Sequence, residues 1–442
     1  MKKVLILTGN FLANYLHLLL VIITGFLWQP VIAQDSSYSN YLQQHDEKIS
    51  IGGSNKFDIF DEAFYQNQVF LVSESHGYYK PHEVDFELFK QINKVTGVHY
   101  YLAEIDFSQA YYLNKYLSSG NEDFLKAIYQ FWYNQKAQWG CQAGLEKWKK
   151  MYACNSTLPP GKKITVLGLD EAQDMNMNVK LLNELLLAAN YKNGKIAMLD
   201  SLAIYATVNL ENDSANRRFI RYSRRLDSII VANTSACKKI LGTNYFSIQF
   251  IIHNIASTKG REKKIFENFN TFYTQYKLAD EKFYGFWGRF HAMQDSVNQA
   301  MPFAGMLKNS TLALQNKIVS IPVFCIESTS MIPTSYLPPI AQQKGTVYSK
   351  VNMVNDDSYV YQVAGIKAFE NFVDKNSISI FKLNDRQSPY NKDLNLVESS
   401  SEMDKSFEWV GNKKVATTSY FQYAVIVRNS DWAQPCGNNK AE

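Results

Sequence analysis

The chain has 442 residues, 46% of them hydrophobic and 14% aromatic, enough to bury a large core in one or two domains. A formal charge of +5 is too mild to argue for a nucleic-acid partner. The five cysteines, Cys141, Cys154, Cys237, Cys325 and Cys436, follow no CxxC or Cys/His spacing, which argues against a structural zinc module.

At the amino terminus Lys2 and Lys3 form a positive region and Leu16 to Leu27 is nearly continuous and apolar. Val31-Ile32-Ala33 then fits a cleavage site before Gln34. Residues 1–33 are expected to act as a signal peptide, leaving a periplasmic or extracellular protein without stable membrane insertion. A retained anchor is the competing reading, disfavoured by Asn10, Asn14, His17 and Pro30. In an oxidising compartment Cys141 and Cys154 could pair, while the apolar run around Cys325 marks a buried thiol.

Residues 34–60 are polar and read as a lead-in to a single domain over 61–435. From there strands alternate with helices, the pattern of an α/β fold with a central, mostly parallel sheet flanked by helices. The first strand is Gln68–Glu74, and its helix opens at Pro81 with Val84, Leu88 and Ile92 on one face. A second strand, Val98–Glu104, precedes helices over Ser108–Leu117 and Glu122–Tyr133. The segment Trp139–Lys162 holds Gly140, Gly144 and Pro159-Pro160-Gly161 and reads as part loop, part turn. Lys163–Asp170 is the third strand. Long helices follow, Met175 to about Asn190 and Gly194 to about Gly260, then one from Arg261 to Tyr276. This helical insertion, about 174–277, is expected to cap the sheet's carboxyl edge. Its arginines at 217, 218, 221, 224 and 225 fit a solvated helix face better than an anion site. The fourth strand is Lys282–Trp287, and Lys317–Ile326 and Phe421–Val427 are the clearest strands beyond it. Residues 385–415 are polar and turn-rich.

The chemistry gathers at strand ends. Glu74, Glu104 and Asp170 each end a strand, His76 follows Glu74 by two, and His291 follows the fourth strand by four. In an open parallel sheet such ends face one crevice. Carboxylates brought together there push their pKa values apart, and a histidine beside them supplies a base near neutral pH. The same groups would suit a divalent metal. Bland readings stand beside these: Glu104 as a salt-bridge partner, Asp170 as a helix cap, His291 as a structural histidine. Glu83 suits the positive end of the Pro81 helix and is the better structural helper than His82. Arg261 and Asn268 are seven apart and share a helical face, from which Arg261 could hold a substrate carboxylate or the pocket glutamates. Tyr78, Tyr79, Trp287 and Phe290 offer a flat apolar lining. No Gly-x-Ser-x-Gly elbow occurs, which disfavours a serine nucleophile.

The run Ser73-Glu74-Ser75-His76-Gly77 … His82-Glu83 resembles the opening motif of the erythromycin esterase-like superfamily, related to the ChaN and Tiki folds. The likeness continues in Leu102-Ala103-Glu104, Leu113-Asn114-Lys115-Tyr116-Leu117, Gly168-Leu169-Asp170, Arg261-Glu262 … Asn268 and Trp287-Gly288-Arg289-Phe290-His291. The resemblance implies an ester hydrolase in which His76 activates water while Glu74 and Glu104 orient it. It further implies that His291 and Arg289 stabilise developing negative charge, with Arg261, Asp170, Glu83 and Asn268 around the substrate. Gly288 stands where the family has the first of two late histidines, and Arg289 replaces the asparagine between them. The expected partner is a small-molecule substrate or ligand. No cofactor is required, though the ChaN and Tiki branches admit haem or a divalent metal.

Overall fold

The computed structural model describes residues 36–191, 197–402 and 404–440; the leader read at 1–33 lies outside them. In chain order the strands are β1 (Asp46–Lys48), β2 (Val69–Glu74), β3 (Tyr100–Ala103), β4 (Thr165–Gly168), β5 (Phe283–Gly288) and β6 (Ile318–Ile326). They continue with β7 (Ser330–Pro333), β8 (Tyr348–Val351), β9 (Tyr361–Val363), β10 (Ile378–Lys382), β11 (Ser399–Ser401) and β12 (Tyr423–Arg428). Eight of them form one sheet in the order β1-β10-β12-β6-β2-β5-β3-β4. From β12 to β4 every pairing is parallel, whereas β10 is antiparallel to both its neighbours. The two remaining pairs, β7 with β8 and β9 with β11, are small and separate.

Alternation along each strand sorts side chains onto two faces, both covered, which is why the strands are apolar throughout. Phe70, Val72, Tyr101, Val166, Tyr284 and Phe286 share one cluster with the helices Lys80–Thr96, Phe107–Ser119 and Gln142–Thr157. Val69, Leu71, Leu102, Leu167, Phe283 and Trp287 face the other way, against the helices Arg261–Gln275 and Phe303–Lys308. The predicted stripe Val84, Leu88 and Ile92 is fully buried. A buried ion pair fastens the first layer to the sheet. Lys147 Nζ lies 2.8 Å from Asp85 Oδ2, and the hydroxyls of Tyr101 and Tyr284 donate to the same carboxylate at 2.7 and 2.8 Å.

Several elements differ from expectation. The Trp139–Lys162 segment is mainly a 16-residue helix, Gln142–Thr157. Gly144 does not break it, because a side chain there would run into the Tyr129 hydroxyl, and Trp148 and Met151 supply the buried face. Cys141 and Cys154 sit at opposite ends of that helix, about 20 Å apart by helical rise, so they cannot pair; all five cysteines are free, and Cys325 is buried as expected. The long helix read from Gly194 to Gly260 is broken into Ala197–Asp200, Leu202–Tyr205, Asp213–Ala232, Thr234–Leu241 and Tyr245–Ala256. Asn212 caps the third of these, and Asn233 and Gly242 separate the last ones. The helix Arg261–Gln275 packs against the sheet, with Phe250 of the helix before it in the same cluster, while the helix Met175–Ala188 packs on the Phe107–Ser119 helix. Within the expected lead-in, β1 pairs with β10 at the sheet edge. The strand β10 itself had no forecast.

Candidate active site

Four adjacent strands, β2, β5, β3 and β4, end at one edge of the sheet and present Glu74, the turn after Gly288, Glu104 and Asp170 in a row. The topology switches there, since the chain runs from β2 over β5 to β3 and returns to β5 only after β4. Such a reversal opens a crevice at the carboxyl ends of the strands.

His76 leaves β2 through a strained turn. Gly77 has φ +98°, and a Cβ there would collide with Ser330 Oγ, the Met331 carbonyl and Gln138 Nε2. The Gly77 carbonyl accepts from Met331 N at 2.9 Å and Ala433 N at 2.8 Å, and Gln138 Nε2 donates to the His76 carbonyl at 3.1 Å. Held in this way, His76 Nδ1 lies 3.0 Å from Glu74 Oε1, with its ring tilted against Trp139. Glu74 is 4% exposed and its second oxygen, Oε2, has no protein partner. Burial pushes the Glu74 carboxyl above its usual range, and the His76 bond recovers only part of that shift. Burial opposes charge on His76 too, yet Glu74 and Glu104 together hold its pKa above the ordinary 6.5.

Glu104 is the hub of a second cluster. Its Oε1 accepts from Arg261 Nη2 at 2.7 Å and lies 3.1 Å from His291 Nε2, while Oε2 accepts from Gly288 N at 2.6 Å. Arg261 also grips buried Asp170 through Nε at 3.0 Å and Nη2 at 2.6 Å. His291 Nδ1 is 2.8 Å from Glu262 Oε1, and Phe303 N donates to Glu262 Oε2. Burial favours a neutral His291 and a neutral Glu104. The ion pairs win: His291 is raised to about 10, and Glu104 is held well below the usual carboxylate range by His291, His76 and Arg261.

Protein-family models yield no match to this chain, and neither do the curated proteins. Solved structures do match. A Bacillus cereus protein and a succinoglycan biosynthesis protein each superpose with a TM-score of 0.61, at 12% and 13% identity. They cover 91% and 92% of this chain and 99% of their own. A mutant of erythromycin esterase EreC in its open conformation gives 0.56 at 13% identity, over 87% of this chain and 98% of that one. The chain has an erythromycin esterase-like fold.

Within that erythromycin esterase-like fold, Glu74, His76, Glu104, His291, Arg261 and Asp170 converge as the sequence led us to expect. Others do not. Arg289 points away from the crevice into the core, where Asp356 holds both its Nη atoms at 2.8 Å and its guanidinium stacks on Phe324. In a 3₁₀ turn residues two apart point in different directions, so His291 at the site sends Arg289 elsewhere. His291 cannot donate to an oxyanion, because both of its nitrogens face carboxylates. Glu83 pairs with Lys150 outside the cavity. Asn268 faces the protein rather than a substrate, its Nδ2 donating to the Leu169 carbonyl at 2.7 Å. Neither Tyr78 nor Phe290 lines the cavity, and the aromatic wall beside Trp287 comes from Trp132, Trp139, Trp148, Tyr129 and Phe286.

Among the described residues no group of three or more His, Cys, Asp or Glu is arranged to hold a metal ion. Glu104 and His291 are committed to each other and to Arg261 and Glu262, so the site does not fit a divalent metal. The cavity, about 90 Å³, is also too small for a haem. Glu262 escaped the sequence reading because Arg261 beside it offered a local salt-bridge partner. Its place beside Arg261 in the family-like Arg-Glu … Asn pattern was the available signal.

Two outcomes follow from these charges. Arg289→Met should cost roughly 3–5 kcal/mol in urea unfolding, because Asp356 would be left buried and unpaired. His291 should contribute stability in full below its ordinary 6.5 and lose it as pH rises through about 10. Urea midpoints measured from pH 7 to 10 should therefore fall, and the fall should be shallower in His291→Asn.

Proposed function

We propose that this protein is a hydrolase that cleaves an ester or related bond with water activated by His76. The Glu74–His76 dyad carries the reading. Its buried carboxylate engages Nδ1, which leaves Nε2 as the open nitrogen facing the crevice beside Gly288. A buried acid that fixes the tautomer and supports the imidazolium formed on proton transfer is the usual company of a histidine base. The fold shared with an erythromycin esterase supports an ester as the bond class.

In this reading a water between His76 Nε2 and the substrate carbonyl gives its proton to Nε2 as its oxygen attacks the acyl carbon. His76 returns that proton to the departing oxygen. Arg261 stands on the other side of Glu104, and among the described residues its Nη1 has no hydrogen-bond partner. Nη1 is thus the cationic donor available to the carbonyl oxygen as it gains charge. Glu104, fully engaged and ionised, anchors Arg261 and the Gly288 turn and moves no proton.

His76→Ala should lower kcat/KM on an ester panel by about 10²–10⁴-fold; unchanged hydrolysis would end this mechanism. Because His76 is a base only when neutral, the raised pKa places the rising limb of activity above pH 6.5. Glu74→Gln removes the anion that raises it and should move that limb to lower pH. Export by the 1–33 leader belongs to the same proposal. Mass spectrometry of the mature protein should find Gln34 first, and a retained Met1 would overturn that part.

A further inference from the structure

The dyad occupies only the mouth of its cavity. Behind it the space runs down between β3, β5 and the helices Phe107–Ser119, Glu122–Asn134 and Gln142–Thr157. Its walls are apolar, chiefly Trp132, Trp148, Tyr129, Ile128 and Phe286. Glu74, Lys147 and His82 are among the polar groups that interrupt them, and Trp287 Nε1 and His82 Nδ1 also lack partners. Glu74 Oε2 is a buried acceptor with no protein donor. Lys147 Nζ, 6% exposed, uses two of its N–H groups on Asp85 Oδ2 and on the Tyr101 hydroxyl at 3.3 Å, leaving a third. His82 is buried and neutral, its pKa driven down by burial and by Lys147.

We propose that this inner compartment is a subsite for one neutral ring bearing a single hydroxyl, a phenol-like group of the substrate. It rests on the hydrolase reading only in placing that ring beside His76. Size sets the first limit. At about 90 Å³, mouth included, the cavity is smaller than the ~150 Å³ that admits benzene, so nothing larger than one small ring reaching out through the mouth fits. Polarity sets the second. A hydroxyl can donate to Glu74 Oε2 while accepting from Lys147, which satisfies both open groups at once. A sugar ring would bring several further hydroxyls to apolar walls and leave them unpaired. Charge sets the third. Lys147 is already paired with Asp85, so a ring carboxylate beside it would also stand against Glu74, and a ring ammonium beside Glu74 would also stand against Lys147; a neutral ring avoids both repulsions.

The test is binding to the intact protein, read by saturation-transfer NMR with phenol, toluene, benzoate and glucose. Phenol should bind, toluene about five- to tenfold more weakly for want of the hydrogen bonds, and benzoate and glucose not measurably. Ile128→Trp, which fills the compartment, should abolish the phenol signal in protein that melts cooperatively. Equal binding of toluene and phenol, binding of glucose or benzoate, or phenol binding retained in folded Ile128→Trp would each overturn the proposal. Lys147→Met is the less useful variant, since it strands the Asp85 charge; the ligand series on unaltered protein does not depend on any variant folding. Selective phenol binding without ester hydrolysis would keep the subsite and remove the hydrolase reading. His76-dependent hydrolysis of aliphatic esters without phenol binding would do the reverse.

Discussion

Arg261 is the cation on which the carboxyl edge of this sheet depends. Glu104 and Asp170 end two neighbouring buried strands, and two acids in such a setting repel each other and resist ionisation. One guanidinium, reaching both with Nη2 and Asp170 again with Nε, makes their charge sustainable. The requirement extends outward. Arg261 begins its helix, and that helix is fixed against β4 by Asn268 on the Leu169 carbonyl, with Asn254 on the Asp170 carbonyl. Glu262, the next residue, then falls on His291 and draws the turn after β5 into the same network. One guanidinium and the glutamate beside it therefore align three strand ends and one helix start.

The result is a site divided by charge. On the Arg261 side Glu104 and Asp170 are bound by the guanidinium, and a histidine raised to about 10 belongs to that scaffold rather than to the proton traffic. On the Glu74 side the carboxylate has one oxygen without a partner and the histidine one open nitrogen. Only there can a proton move near neutral pH. Gly288 lies at the boundary. A Cβ at that position would stand 3.1 Å from His76 Nε2 and 3.5 Å from Glu104 Oε2, so a side chain there would crowd the open nitrogen. Glycine at this position thus leaves open space beside His76.

The strand ends were legible because alternation and burial are written in local sequence. Runs such as Val69-Phe70-Leu71-Val72 can only be buried on both faces, and a Glu closing such a run declares a site. The convergence of Glu74, Glu104, Asp170 and His291 followed from the parallel topology. What stayed hidden needed side-chain direction or distant pairing. Arg289 sits two residues from His291, and only the 3₁₀ turn reveals that it faces Asp356 instead. The Gln142–Thr157 helix was masked by Gly144, a residue that counts as a breaker until Tyr129 is seen filling its place. Lys147, in that helix, looks like any surface lysine, because Asp85 is 62 residues earlier in the chain.

That hidden helix changes the character of the site more than any catalytic group does. With a loop over Trp139–Lys162 the crevice would be an open trough, suited to a large flat ligand. With a helix there, Trp148 and Lys147 close its inner end, and the Asp85 pair locks the helix to β3 and β5 through Tyr101 and Tyr284. A buried ion pair bound by two tyrosine hydroxyls tolerates little movement, since separating its charges leaves each uncompensated in an apolar wall. The inner compartment is consequently a rigid one, and selection by size belongs to it.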